Sequence, residues 1–192
     1  MDSRFSYQNY LIRKNIMSVA GAKFHIFNSD GQEVFFSKMK AFKLKEDIRL
    51  YSGEDMQEEL LNIHARNVID FSATYDVSDT KTGELIGSLK RKGMKSMLKD
   101  EWIILDPGGS ETGLIKEDGM LLALVRRILT NFVPQKYHVE MSGSTVGAFK
   151  QNFNPFVVKL NLDFSENTNN LLDKRLGLAA GVLLCAIEKK QN

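Results

Sequence analysis

Cysteine is almost absent from this chain of 192 residues, because Cys185 is the only one. A single cysteine cannot form an intramolecular disulfide, and it excludes a zinc site built from paired cysteines. Cys185 lies between Leu184 and Ala186 in an apolar stretch, which favours a small buried side chain over a reactive thiol. The sequence therefore predicts a fold stabilised by its core, in a reducing compartment such as the cytoplasm.

Long hydrophobic runs are also missing. The longest apolar run covers residues 176–187 and has charged residues on both sides. It is shorter than the about 20 residues that a membrane-spanning helix needs. The N-terminus has no apolar core of the signal-peptide type. We therefore expect a core helix at the C-terminus, no transmembrane span and a cytoplasmic protein, with peripheral association at a membrane left open.

The chain has no large excess of charge of one sign, since 26 Lys and Arg against 24 Asp and Glu give a formal net charge of +2. A dedicated nucleic-acid-binding protein usually has a strongly basic face. This balance makes nucleic acid an unlikely partner by composition alone. The lysines are nevertheless distributed unevenly along the chain.

The chain does contain repeated alternation of apolar and polar residues, which is typical of strands with one buried face. This alternation, together with the turns that bound the apolar runs, predicts strands at 23–27, 33–38, 71–77, 85–91, 101–105, 137–141, 145–150 and 156–164. Short turns separate many of them, and Asp30-Gly31 is a strong hairpin signal. Consecutive strands joined by short turns pair in antiparallel fashion. The sequence thus predicts a mostly β (α+β) domain.

Helical patterns occur at 120–131 and 171–189, and the segment 54–61 predicts a short helical turn. Asn170 and Asp173 have the spacing of an imperfect capping box for the last helix. That helix is apolar on all sides, so it must be enclosed on all sides. A closed barrel around it meets this requirement. Gly177 and Gly181 then allow neighbouring backbone to approach one face closely.

Four stretches resemble the Tubby C-terminal-like superfamily, with the LURP-one-related proteins and phospholipid scramblases as its most similar branches. Residues 23–27 with Asp30-Gly31 resemble the opening hairpin, and 69–87 resemble the middle hairpin. The run Gly147-Ala148-Phe149-Lys150 resembles a later strand, and 171–184 resembles the terminal helix. The resemblance covers roughly residues 23 to 190.

The resemblance implies a closed antiparallel barrel of about twelve strands around a central C-terminal apolar helix. The helix at 120–131 would be one further helix, packed outside. It also implies a single Tubby-like domain over 1–192, in which residues 1–22 are either an N-terminal extension or a first strand. Tubby itself is associated with phosphoinositides and the scramblases with lipids, but one fold supports many functions.

Two basic clusters are the candidate ligand-binding or lipid-binding residues. They comprise Lys38, Lys40, Lys43, Lys45, Lys90, Arg91, Lys92, Lys95 and Lys99. On a shared rim they would hold anionic head groups, since each Lys or Arg near an anionic membrane contributes about 1 kcal/mol. A solvated charged face is the alternative interpretation.

Other motifs predict little chemistry. The acidic segment 163–173 places Asp163, Ser165, Asn167 and Asn169 at alternate positions, as in a calcium loop. Thr168 and Lys174 occupy the places where an EF-hand needs Gly and Glu. The three histidines lack metal-ligand spacing, and no P-loop or nucleophile elbow is found. We expect no catalytic residues, no metal and no cofactor.

The interpretation we favour is a non-enzymatic barrel domain that binds anionic phospholipid or phosphoinositide head groups, or acts as a cytoplasmic scaffold. Its expected partner is an anionic membrane surface, and the sequence indicates no particular protein partner. A small-molecule-binding protein or an enzyme of unknown reaction is the alternative. Nucleic-acid binding is the second alternative.

Overall fold

A computed structural model of the chain describes residues 2–17, 21–39, 47–66, 73–92, 101–118, 135–152 and 157–187. A short 3-10 helix, Ser3–Phe5, precedes the first strand. The strands are β1 (Asn9–Met17), β2 (Gly21–Asn28), β3 (Glu33–Met39), β4 (Asp47–Tyr51), β5 (Glu59–Ala65), β6 (Thr74–Asp79), β7 (Leu85–Arg91), β8 (Glu101–Leu105), β9 (Glu111–Glu117), β10 (Lys136–Met141), β11 (Ser144–Asn152) and β12 (Val158–Asp163). The α-helix α1 (Lys174–Ile187) follows them.

The twelve strands form a closed antiparallel barrel in which sequence neighbours are also spatial neighbours. β1 closes the barrel because it pairs with β2 on one side and with β12 on the other. Strands such as β2 and β10 alternate strictly between buried and more exposed residues. One face carries the apolar side chains of a single core, and the other face lies outside. The expected antiparallel barrel is therefore confirmed.

Most of the predicted strands correspond to observed ones. The segment 101–105 coincides with β8, and the predicted hairpin at 23–38 is the pair β2 and β3. The predicted strands at 71–77 and 156–164 begin at residues that lie outside the described part of the chain. The helical turn expected at 54–61 is wrong. Residues 52–58 form a loop and β5 begins at Glu59, because Leu61 and Ile63 alternate into the core.

Helix α1 is enclosed by the barrel, as its uniformly apolar sequence predicts. Side chains from Leu176 to Ala186 that carry a hydrophobic group are at most 5% exposed. A Cβ atom at Gly181 would lie 2.8 Å from the Leu162 side chain and 3.0 Å from that of Ile12, so side chains of the barrel wall, and not the backbone expected from the sequence, pack closely there. No helix in the described parts of the chain has the length and apolarity needed to cross a membrane.

Helix α1 begins three residues later than the pattern indicates. Asp173, not Asn170, caps it, since Asp173 Oδ1 accepts a hydrogen bond of 2.9 Å from the backbone N–H of Arg175. Asn170 has a φ of +51°, a left-handed conformation that does not belong to a helix start. The helix expected at 120–131 and outside the barrel lies beyond the described residues.

The two ends of the barrel differ in composition. Five turns at one end, 28–33, 52–58, 79–84, 106–110 and 142–143, contain eight acidic residues and one cation, Lys81. We call this the acidic end. At the opposite end β3, β7 and β11 finish and β10 and β12 begin. Helix α1 runs from the acidic end to this opposite end, so its positive N-terminus faces the carboxylates.

Candidate functional site

Cations on the outer surface of β4 to β9 are mostly neutralised by carboxylates. Arg49 contacts Asp47 at 2.9 Å and Glu59 at 2.8 Å. The same pattern of ion pairs at 2.8–3.0 Å joins Arg66 to Asp76, Lys92 to Glu101 and Lys116 to Glu140. We call these strands the paired wall. Their charges are balanced within the protein, so they offer little net attraction to an anionic ligand.

The other half of the barrel wall carries opposed cations instead. Three pairs of basic residues lie directly across from each other on neighbouring strands: Lys136 and Lys150, Arg13 and Lys159, and Lys23 and Lys38. We call these six residues the basic wall; they cover β10, β11, β12, β1, β2 and β3. Like charges directly opposite each other destabilise a sheet.

Few carboxylates lie close to the basic wall, although Asp118 donates a backbone hydrogen bond of 2.8 Å to the carbonyl of Lys136 and contacts His138 on β10. Within the described ranges, no carboxylate oxygen lies within 4.0 Å of any of its six cationic groups. Strands β1, β2 and β11 contain no acidic residue at all. The carboxylates Glu33, Glu140 and Asp163 stand toward the acidic end of their strands. Opposed cations without carboxylate partners are thus grouped on one side of the described part of the barrel.

Of the nine residues singled out from the sequence, the structure describes four. Lys38 belongs to the basic wall and is exposed, whereas Lys90, Arg91 and Lys92 are at the end of β7 on the paired wall. Both groups lie at the same end of the barrel, but β4, β5 and β6 separate them. Lys92 is already paired with Glu101. Five further residues lie outside the described ranges, namely Lys40, Lys43, Lys45, Lys95 and Lys99.

A groove of about 360 Å³ opens on the outer face of β12, β1 and β2, within the basic wall. It is lined by Arg13, Asn15, His25, Phe27, Val157 and Lys159. The guanidinium carbon of Arg13 lies 4.7 Å from the centroid of the Phe27 ring. This cation–π contact positions the guanidinium over an aromatic ring, and its N–H groups form no ion pair with a described carboxylate.

Aromatic contacts continue from the groove toward β3. The ring of His25 lies 6.5 Å from that of Phe27, nearly parallel to it, and 5.3 Å from that of Phe36, edge to face. Lys23 Nζ lies 5.7 Å from the Phe36 centroid. Two cations of the basic wall, Arg13 and Lys23, therefore contact aromatic rings, whereas the cations of the paired wall contact carboxylates.

His25 marks the boundary of this surface. Its Nδ1 lies 3.1 Å from Glu33 and its Nε2 lies 3.4 Å from Glu54, both toward the acidic end. Since both ring nitrogens face carboxylates, His25 contributes its ring and not a free donor to the groove. It separates the basic wall from the acidic turns.

Inside the barrel, Lys14 occupies a different position from its neighbours on β1. It is 4% exposed, and its Nζ donates hydrogen bonds to the backbone carbonyls of Cys185 at 2.6 Å and Ala186 at 3.4 Å. These carbonyls belong to the last turn of α1, where a cation is favourable. Burial raises the pKa of Cys185 to about 12, although Lys14 acts to lower it, so the thiol stays protonated. Both residues have structural roles.

The polar side chains Asp163, Asn167 and Asp173 of the acidic segment 163–173 form hydrogen bonds to nearby backbone groups. Asp163 Oδ1 accepts from the N–H of Ser165 at 2.9 Å. Asn167 is buried and bonds both the carbonyl oxygen of Leu172 at 2.8 Å and its N–H at 3.1 Å. Asp173 caps α1 and contacts the Arg175 guanidinium. The alternating polar pattern is accounted for by the turn that leads into the helix.

A family model provides the decisive comparison, since the model for LURP-one-related proteins matches residues 8–169. The chain belongs to the LURP-one-related family. This family is part of the Tubby-like superfamily, so the resemblance stated from the sequence is confirmed for this branch. The likeness to scramblases stays a prediction.

One solved X-ray structure agrees with the fold of this LURP-one-related chain. It is of a protein from Arabidopsis thaliana, with a TM-score of 0.54 and 13% sequence identity. The match covers 98% of this chain and 97% of the plant protein. At this identity the likeness shows the barrel fold alone. No curated protein matches this LURP-one-related chain.

Sequence reasoning missed most of the basic wall. Its members are single cations in separate strands, so no local run of lysines reveals them. Two alternations contained a signal: Arg13 and Asn15 on β1, and Lys23, His25 and Phe27 on β2. The first puts a basic residue on the polar face of its strand, and the second puts basic and aromatic residues there. Only the pairing of β1 with β12 adds Lys159 to them.

Proposed function

We propose that this LURP-one-related barrel associates with anionic phospholipid surfaces through its basic wall. The observation that carries the proposal is the set of three directly opposed cation pairs on six neighbouring strands. Such pairs weaken the folded state slightly, and an anionic surface would relieve the repulsion. Each basic residue close to an anionic membrane contributes about 1 kcal/mol of attraction.

The arrangement fits a broad surface better than an internal site. Helix α1 fills the barrel interior, and the six cations are spread over the outside. The paired wall would face solvent, since its cations already have carboxylate partners. The protein is thus proposed to be a non-enzymatic membrane-surface module with one preferred orientation.

Co-sedimentation with vesicles tests the proposal. Vesicles of equal parts phosphatidylcholine and phosphatidylserine should bind the wild-type protein at low salt, and pure phosphatidylcholine should not. Binding should weaken as salt approaches physiological strength, where the Debye length is about 8 Å. A wild-type protein that does not sediment with the anionic vesicles at low salt would refute membrane binding.

Matched lysine variants locate the contact surface. The double variant Lys136→Gln/Lys150→Gln removes two unpaired charges from the basic wall. Lys81→Gln/Lys116→Gln removes the same net charge from lysines that are paired with carboxylates. The first should weaken binding strongly and the second little. Equal weakening by both would mean that only net charge matters.

A third variant, Lys90→Gln/Lys92→Gln, tests the cluster identified from the sequence. If it abolishes binding while Lys136→Gln/Lys150→Gln does not, the contact surface is the end of β7 and not the basic wall. Circular dichroism and thermal unfolding of each variant verify that the barrel is intact.

A further inference from the structure

The groove on the outer face of β12, β1 and β2 combines a concave shape with fixed charge. Its volume of about 360 Å³ is within the range of small-molecule sites, which starts near 300 Å³. Arg13 and Lys159 oppose each other across the β1–β12 pairing and both line the groove. Two cations that line one open groove match a ligand group that bears two negative charges.

The arginine is already oriented for such a group. Its guanidinium lies over the Phe27 ring at 4.7 Å, and no carboxylate within the described residues pairs with it. A planar guanidinium presents two parallel N–H donors, the geometry that binds phosphate in bidentate fashion. Lys159 adds a point charge, and the Asn15 amide adds a neutral donor and acceptor.

The remaining lining is apolar and larger than a phosphate requires. Phe27 and Val157 are both partly exposed in the groove, and the His25 ring flanks Phe27. A bare inorganic ion would leave these surfaces uncovered. A phosphate ester with a flat or apolar organic part would cover them.

We infer that this groove is a binding site for a phosphomonoester, with Arg13 and Lys159 on the phosphate and Phe27 against the organic part. The inference goes beyond membrane association, because it names one cavity and a group with two negative charges. The phosphomonoester has two conceivable sources, a free phosphorylated metabolite or a phosphorylated lipid head group. Both present the same chemistry to the groove.

Titration by two-dimensional ¹H–¹⁵N NMR tests the site, with inorganic phosphate and phenyl phosphate as probes at constant ionic strength. We expect saturable shifts of backbone amides in β12, β1 and β2, and tighter binding of phenyl phosphate. Shifts that never saturate, or that follow exposed lysines all over the barrel, would show a diffuse ion atmosphere and overturn the inference.

Three substitutions identify the binding groups. Arg13→Lys keeps the positive charge but removes the two parallel N–H donors of the guanidinium. It should lower the affinity for both probes about tenfold or more. Phe27→Leu should remove the advantage of phenyl phosphate over inorganic phosphate. Arg49→Lys is the matched control, because Arg49 is exposed but paired with Asp47 and Glu59. Equal affinities for the wild type and Arg13→Lys would refute the assigned role.

Vesicles distinguish the two sources. Phosphatidic acid has a phosphomonoester head group, whereas phosphatidylserine has a phosphodiester. If the ligand is a lipid, Arg13→Lys should remove a preference for phosphatidic acid; if it is a free ester, vesicle binding should be unchanged. If the protein binds vesicles but shows no saturable binding of phosphate, the phosphomonoester site is refuted and the membrane proposal stands. If the protein binds phosphate but not vesicles, the membrane proposal is refuted and the phosphomonoester site stands.

Discussion

The two halves of the barrel wall treat positive charge differently. On β4 to β9, cations such as Arg49, Arg66 and Lys116 contact carboxylates at 2.8–2.9 Å. On β10 to β3, six cations face each other across strand pairs, and Arg13 and Lys23 rest on aromatic rings. Carboxylates neutralise much of the charge on the first half, whereas the opposed cations on the second half have no carboxylate partner among the described residues.

The largest effect is expected where a paired cation is least exposed. Arg175, 11% exposed, contacts Asp79 at 2.9 Å and Asp173 at 2.6 Å, and so joins α1 to the end of β6. Arg175→Met should lower the free energy of unfolding by about 2–3 kcal/mol, because two partly buried carboxylates lose their partner. Urea unfolding measures this.

Arg49→Met is the control for that experiment. Arg49 also contacts two carboxylates, but its side chain is 47% exposed. Its loss should therefore cost less than about 1 kcal/mol. Equal losses for the two variants would contradict the distinction between a buried and a solvated ion pair.

Acid should destabilise the protein through the carboxylates that hold these cations. A hydrogen bond from the Arg4 side chain lowers the pKa of Asp2, an effect that burial opposes. For Asp79, burial acts to raise the pKa, but hydrogen bonds from Thr82, Arg175 and Lys81 outweigh it and the pKa is lowered.

A carboxylate whose pKa is lowered in the folded state stabilises the fold above its unfolded pKa. This stability is lost as pH falls through the folded pKa, so the urea midpoint should decline below about pH 4. Asp79→Asn should cost on the order of 1 kcal/mol at pH 7 and reduce the decline. A midpoint independent of pH between neutral and strongly acidic solution would contradict this account.

Lys14 sharpens the comparison because it lies on a basic-wall strand but points inward. Lys14→Met keeps much of the side-chain volume and removes the donor to the carbonyls of Cys185 and Ala186. We expect a loss of about 1 kcal/mol, since unpaired carbonyls are costly but a buried charge is also removed. Thermal unfolding compared with exposed Arg13→Met tests this, and an equal loss in both would place the effect in the strand itself.

The smallest effect, with the opposite sign, is expected at the basic wall. Lys136 and Lys150 are exposed and directly opposed. Lys136→Gln/Lys150→Gln should leave the free energy of unfolding unchanged or raise it by about 0.2–0.5 kcal/mol, more at low salt. A clear destabilisation would mean that these lysines support the fold and are not kept for a partner.

Several elements could be predicted because their signals are local. The apolar run at 101–105, ended by the turn that starts at Asp106-Pro107, predicted β8, and the Asp30-Gly31 turn predicted the hairpin of β2 and β3. The prediction failed at 54–61 because a Glu-rich segment is typical of helices. Burial of Leu61 and Ile63 in the core instead favours a strand from Glu59 onward. The sequence pattern also placed the start of α1 too early, since Asn167 and Asp173 fix that start through side-chain contacts.

The candidate site could be predicted from the sequence only in small part. Lys38 was predicted from a local lysine cluster, and it proved to lie beside Lys23 on the basic wall. The lysines of β7 share the same end of the barrel but not the same face. A contiguous run of cations in a sequence therefore does not define a contiguous surface.

The sequence by itself determined a closed β architecture with an enclosed helix, because alternation and an all-apolar helix are local properties that only such a core satisfies. Tertiary structure alone decided which charges meet. Arg13 and Lys159 are far apart in the chain, and closure of the barrel by β1 and β12 puts them directly opposite each other. Strand register is set by the whole core, so the groove between them could not be inferred from any single segment.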